Sequence, residues 1–124
     1  MINVTDFTKE QRQALLDLLV LAMYMDGSLA SAETAHVQEL LVAMDLDTDY
    51  DRNREFDASV NRVRQHSESI DGARACAGKL AQSFTSREQQ KIVMDVLNDL
   101  TTSDGKISSR ENSFLSVVND VFKI

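Results

Sequence analysis

The stretch that most constrains the fold is ALLDLLVLAMYM, residues 14–25, in which Asp17 is the only charged residue. A helix with this sequence is apolar on nearly every side, and such a helix is buried at the centre of a domain or covered by a partner. A membrane span needs about twenty apolar residues, so the stretch is too short to be one. It also lacks the basic flank and the terminal position of a signal peptide. We therefore expect a cytoplasmic protein with no transmembrane segment, built around this helix.

The rest of the 124-residue chain also predicts helices. It contains no proline and only four glycines, which lets helices continue without interruption. Apolar residues recur at helical spacing, and no segment shows the alternation of a half-buried strand. The length fits one domain, residues 1–124, with an all-α fold of about six helices. The predicted helices cover about 8–25, 31–44, 52–67, 71–84, 85–102 and 108–122, and an acidic connection is expected at 45–51.

Capping boxes mark the predicted starts of three helices. In such a box a hydroxyl side chain and a Glu or Gln three residues later each satisfy a free backbone N–H. The matching pairs are Thr8 with Gln11, two overlapping alternatives (Thr85 with Glu88, Ser86 with Gln89), and Ser108 with Glu111.

The composition restricts the partners. The formal net charge is −7 and the pI is about 4.7, so a nucleic-acid partner is not expected, because phosphate binding needs clustered Lys and Arg. An acidic surface favours cations or basic partners instead. The single cysteine, Cys76, excludes an internal disulfide and is predicted to be a small core residue rather than a reactive thiol.

An internal repeat relates the two ends of the chain. When the sequence is shifted by 78 residues, seven of 23 positions between Gln11 and Glu33 are identical. The identical pairs are Gln11/Gln89, Asp17/Asp95, Leu19/Leu97, Asp26/Asp104, Gly27/Gly105, Ser31/Ser109 and Glu33/Glu111. Gene duplication explains this similarity. We predict two related helix–turn–helix hairpins, approximately 8–44 and 86–122, flanking a central pair of unlike helices.

Both hairpins contain an Asp-Gly kernel at the turn, residues 26–33 and 104–111. The kernels resemble the second half of an EF-hand calcium loop, which has an Asp, a Gly, a hydrophobic residue and a bidentate Glu. The first half of that loop is missing, since Ala22, Tyr24, Leu100 and Thr102 stand where oxygen ligands are needed. The acidic residues of the kernels are the candidate ligands of a divalent cation, Ca²⁺ or Mg²⁺: Asp26, Glu33, Asp104 and Glu111. The alternative is structural, because an Asp before Gly supports a turn and a Glu suits a helix N-terminus.

The doubled kernel and the apolar helix before it resemble the TerB-like (tellurite-resistance) family. The family signature reads roughly Leu-hydrophobic-x-x-Ala-x-x-Asp-Gly, followed by a hydrophobic residue and an acid, and it occurs twice. Residues 18–33 and 97–111 are similar to its two copies, although Leu100 replaces the usual alanine and Ala30 replaces a capping serine. The resemblance implies a compact helical bundle in a bacterial or phage cytoplasm. It also implies stress- or envelope-linked assembly work, with divalent cations coordinated by the kernel acids.

Other polar residues predict structure rather than chemistry. Asp17 and Asp95 each interrupt an apolar stretch and are expected to pair with a basic residue or a helix start across the bundle. His36 and His66 have no ligand or triad partner at suitable spacing, so an enzyme is not expected. Three hypotheses follow: a TerB-like module that binds unknown protein partners, a divergent EF-hand-type calcium protein, and a structural homo-oligomer whose groove contains Met23, Met25 and Met44.

Overall fold

The computed structural model describes residues 7–25, 31–44, 48–66, 69–101 and 109–123, with side chains omitted at 23–25, 31–36, 70, 100–101 and 109–111. The described part is all-α and contains no strand. Its six helices are α1 (Lys9–Met25), α2 (Ser31–Ala43), α3 (Asp49–Arg64), α4 (Ile70–Ala81), α5 (Arg87–Thr101) and α6 (Ser109–Phe122). The all-α fold and the number of helices predicted from the sequence are confirmed.

Helix α1 lies at the centre of the bundle. It packs against each of the other five helices, and every residue from Ala14 to Ala22 is buried. A helix that is apolar on all sides can lose its contact with water only if neighbours surround it. The prediction that this stretch forms the centre of the domain is therefore confirmed.

The two terminal hairpins pack against each other. Helix α1 contacts α5 and α6, and α2 contacts α5. Near the starts of α1 and α5, Gln11 Nε2 donates to Gln89 Oε1 at 3.0 Å, and Gln89 Nε2 donates to Gln11 Oε1 at 3.1 Å. These glutamines are 78 residues apart, and a reciprocal bond between equivalent positions is what an approximate two-fold relation between the hairpins would produce.

The middle two helices, α3 and α4, both pack against α1. Helix α3 contacts α1 and α2, whereas α4 contacts α1 and α6. Small residues lie where α4 meets α6, and a Cβ added at Gly78 would come into ordinary van der Waals contact with Val117 Cγ1, at 3.5 Å. Ala73 and Ala77 on the same helix are fully buried. The short side chains thus let the two helices come near each other.

Three helix boundaries differ from the sequence prediction by three residues: both ends of α3, which is Asp49–Arg64 and not 52–67, and the end of α4. Helix α3 begins at Asp49, so the last residues of the predicted acidic connection form its first turn. Thr48 accepts a hydrogen bond from the backbone N–H of Asp51 at 3.1 Å, and carboxylates are favourable in a first turn. Helix α4 ends at Ala81 rather than at Phe84. Phe84 is still buried, because its ring packs against those of Phe7 and Phe122 at centroid distances of 5.4 and 6.3 Å.

The structure decides between the overlapping caps at the start of α5. Ser86 Oγ accepts from the backbone N–H of Gln89 at 3.1 Å, so Ser86 is the N-cap. At the start of α1 both bonds of the predicted box form, Gln11 N–H to Thr8 Oγ1 at 3.1 Å and Thr8 N–H to Gln11 Oε1 at 2.9 Å. The predicted box of Ser108 and Glu111 lies outside the described residues and side chains.

Candidate functional site

A buried polar cluster joins α1 to α3. The Asp17 side chain is 8 % exposed and accepts three bonds from the Arg62 guanidinium, at 2.8 to 3.2 Å. The hydroxyl of the fully buried Ser59 donates to the same carboxylate at 2.5 Å. A buried carboxylate is costly unless it is paired and hydrogen-bonded, and this one is both. The expected pairing of Asp17 with a basic residue across the bundle is confirmed.

The cluster affects the protonation of two neighbouring groups. The hydrogen bond to Asp17 raises the pKa of Arg62, against a smaller opposing effect of desolvation. Burial raises the pKa of the Cys76 thiol, the negative charge of Asp17 raises it further, and Lys79 partly opposes both. A thiol whose pKa is raised is protonated at neutral pH and is a poor nucleophile. Cys76 was predicted to be a small buried core residue, and in the structure it is only partly buried and packs against the core.

The equivalent aspartate of the second hairpin has a different environment. Asp95 corresponds to Asp17 in the 78-residue shift, but its side chain is exposed. Helix α5 packs against α1, α2 and α6, and among the described helices none packs on it as extensively as α3 packs on α1. The side of α5 that corresponds to the α3-covered side of α1 thus faces solvent.

Four exposed side chains at helical spacing form this side of α5, which we call the α5 outer stripe: Glu88, Lys91, Asp95 and Asp99. The corresponding α1 residues become less exposed along the helix, from exposed Glu10 to buried Leu21: Glu10, Gln13, Asp17 and Leu21. The sequence changes with the environment, since the buried Leu21 corresponds to the exposed Asp99.

An open groove of about 480 Å³ runs beside the stripe. Its lining includes Glu88, Lys91 and Asp95 from the stripe, together with the apolar side chains of Phe7 and Ile92. A second groove of about 390 Å³ lies on the other side of Lys91 and Asp95 and includes Met94. Asp95 therefore stands between two partly apolar depressions on the surface.

A comparison with known protein families identifies the family of this chain. The family model described as tellurite resistance protein TerB matches residues 12–124, which include nearly all of α1 and the whole of α2 to α6. The chain belongs to the TerB family. No curated protein and no solved structure matches the chain. The family resemblance found in the sequence is thereby confirmed.

The kernel acids of this TerB-family chain remain predictions as metal ligands. Asp26 and Asp104 lie outside the described residues, and Glu33 and Glu111 lie on α2 and α6 with side chains outside the described set. Among the side chains that the structure does describe, no group of three or more His, Cys, Asp or Glu residues could hold a metal ion. The acids of the two kernels do not belong to these described side chains.

Of the other residues singled out in the sequence, some have described side chains and some do not. His66 lies exposed in the turn after α3, whereas the His36 side chain is outside the described set. Met44 lines an open depression of about 270 Å³ with residues of α1 and α3, but Met23 and Met25, its predicted companions in a partner groove, have no described side chains. In the part of the chain that the structure describes, no helix is both long enough and apolar enough to cross a membrane.

The partners in two polar contacts, that of Asp17 and that between Gln11 and Gln89, were not predicted from the sequence. Ser59 and Arg62 were not singled out as partners of Asp17, although their spacing of three residues places them on one face of α3. The mutual pairing of Gln11 and Gln89 was also missed. Its signal was available, because a polar residue retained at equivalent places in two amphipathic helices is a candidate for contact across a two-fold relation.

Proposed function

We propose that this TerB-family chain is a non-enzymatic, cytoplasmic interaction module in a stress- or envelope-linked bacterial assembly. The observation that carries this proposal is the α5 outer stripe, a charged helix face beside two partly apolar grooves, on a chain whose family is established. A polar face with apolar depressions suits reversible association, since interfaces between separately folded proteins are about as polar as other surfaces.

The interaction role is tested by affinity capture from the native host, with the wild-type chain as bait. The expected result is a reproducible set of captured proteins whose retention decreases with salt, because acidic surfaces attract basic partners electrostatically. A matched bait carrying Glu88→Gln, Asp95→Asn and Asp99→Asn keeps the helix and removes three charges. Failure of the wild-type bait to retain any host protein above a blank resin would contradict the proposal.

We further propose that the Asp-Gly kernels bind a divalent cation weakly, using Asp26, Glu33, Asp104 and Glu111. The support is the recurrence of the same acids at the same spacing in both hairpins, together with the chemistry of hard cations, which prefer carboxylate oxygens. An ion that binds the folded chain raises its midpoint of thermal unfolding with concentration.

The proposed binding of a divalent cation is tested by thermal unfolding during titration with Ca²⁺, Mg²⁺ or Mn²⁺. The wild-type midpoint should increase with at least one ion, and the increase should disappear in Asp26→Asn/Asp104→Asn. Asp71→Asn/Asp120→Asn is the control, because both residues are exposed acids on other parts of the bundle. If none of the three ions changes the wild-type midpoint of thermal unfolding, the proposed cation binding is wrong. The proposed interaction role does not depend on that result.

A further inference from the structure

The two hairpins present the same helix side to different surroundings, and this difference identifies a binding surface. On α1, that side is covered by α3, which places Ser59 and Arg62 on Asp17. On α5 the aspartate is retained as Asp95, but no helix of the described chain covers it. The covered hairpin therefore shows what kind of element fits the uncovered one.

We propose that the α5 outer stripe receives an arginine-bearing helix of a partner protein, docked on α5 as α3 is docked on α1. The proposal rests on the interaction role above and assigns it a location and a partner chemistry. The docked arginine pairs with Asp95, and its helix lies along the grooves on either side of that residue, against Phe7, Ile92 and Met94.

The geometry of the α1–α3 contact defines the side chain that the partner presents. Arg62 contacts both oxygens of Asp17 through Nε and Nη2. A planar guanidinium can make such paired bonds, whereas a lysine ammonium acts as a point charge. A hydroxyl three residues before the arginine occupies the same place as Ser59, which donates to the Asp17 carboxylate.

Charge favours a basic partner over a second copy of this chain. The α5 outer stripe contains three acids and one lysine, and the chain carries a formal net charge of −7. Two copies that met through this stripe would bring like charges together, which is unfavourable. A basic helix would meet a surface of opposite charge. Asp99 stands where the first hairpin has a buried leucine, and it makes the face polar enough for reversible binding.

The test uses the α3 segment itself as the probe. A labelled, terminally blocked peptide of residues 52–64, which carries four arginines and two acids, is titrated with the full-length chain, and binding is followed by fluorescence anisotropy. The α1 site is already filled by the tethered α3, whose effective concentration is about millimolar, so the free peptide reports on the other face. We expect saturable binding that Asp95→Asn weakens about fivefold, since an exposed pair contributes modestly.

Two variants make the result specific. Asp120→Asn removes an exposed acid from α6 and should leave the affinity within about twofold of wild type, as expected for a distant charge at physiological salt. A peptide with Arg62→Gln should lose affinity for the wild-type chain by about the same factor as Asp95→Asn, and the two changes together should cost little more. Circular dichroism of each chain variant establishes that its helix content is unchanged.

Three results would overturn the assignment. The first is no binding of the wild-type chain to the peptide, and the second is equal binding by wild type and Asp95→Asn. The third is concentration-dependent self-association of the chain, measured by light scattering, that Asp95→Asn abolishes, because the occupant would then be a second copy. If the Asp95→Asn chain captures the same host proteins as wild type, the interaction role stands and only this location fails. A wild-type bait that captures nothing removes the interaction role itself.

Discussion

At the scale of single residues, the most consequential contact is the bond between Asp17 and Arg62. Removing the arginine leaves a buried carboxylate with only the Ser59 hydroxyl as a described partner. We expect Arg62→Met to lower the free energy of unfolding by about 2 kcal/mol, less than for a fully buried pair because the Arg62 side chain is 38 % exposed. Urea unfolding measures this change, and Arg54→Met on the exposed side of the same helix is the control.

The same pair allows a second substitution that separates charge from packing. A buried ion pair can often be replaced by apolar residues at little cost, because desolvation of the charges offsets most of their attraction. The double variant Asp17→Leu/Arg62→Met should therefore recover most of the stability lost in Arg62→Met alone. Additive losses in the double variant would show that the two side chains do not interact.

Cys76 gives a prediction about pH. Its pKa is raised in the folded chain by burial and by Asp17, so the folded state holds the thiol proton to a higher pH than the unfolded state does. The resulting stabilisation is complete below the unfolded pKa and is lost as pH rises through the folded pKa. The difference in unfolding free energy between wild type and Cys76→Ala should decrease as the pH rises above about 8.5, the ordinary pKa of a free thiol. A difference that increases over this range would contradict the assigned direction.

At the scale of helices, a side-chain hydroxyl caps the start of α1, α3, α4 and α5 in the described chain. Ser86 rather than Thr85 caps α5 in the structure. Ser86→Ala should therefore destabilise the protein by about 1 kcal/mol, whereas Thr85→Ala should have an effect of less than about 0.5 kcal/mol. Chemical denaturation of the two variants provides the comparison. A larger loss of stability in Thr85→Ala than in Ser86→Ala would show that Ser86 is not the cap.

Helix positions were largely predictable from the sequence, and their exceptions have local causes. Apolar spacing located all six helices, because burial of one side of a helix leaves a periodic record in the sequence. The start of α3 was predicted three residues late because the acidic residues after Thr48 look like a connection. Their charges in fact suit a helix N-terminus. The end of α4 was predicted late because Phe84 is buried without being helical.

At the scale of the whole molecule, the central helix was predicted from the sequence, but the surfaces that the helices bury were not. The partner of Asp17 could not be chosen from the sequence, because several arginines lie on α3 and the rotation of α3 relative to α1 is set by packing of the complete bundle. For the same reason the exposure of Asp95 could not be predicted from its alignment with Asp17. A repeat conveys similar local structure, whereas the third and fourth helices decide which copy is covered.

The measurement that tests this account most directly compares Asp17→Ala with Asp95→Ala by equilibrium urea unfolding at neutral pH. The two residues are equivalent in the repeat, but one is buried and paired and the other is exposed. We predict that Asp17→Ala lowers the free energy of unfolding by about 3 kcal/mol, because the partly buried Arg62 and the fully buried Ser59 lose their partner. Asp95→Ala should change it by less than about 0.5 kcal/mol. Equal effects of the two substitutions would contradict the asymmetric covering of the hairpins.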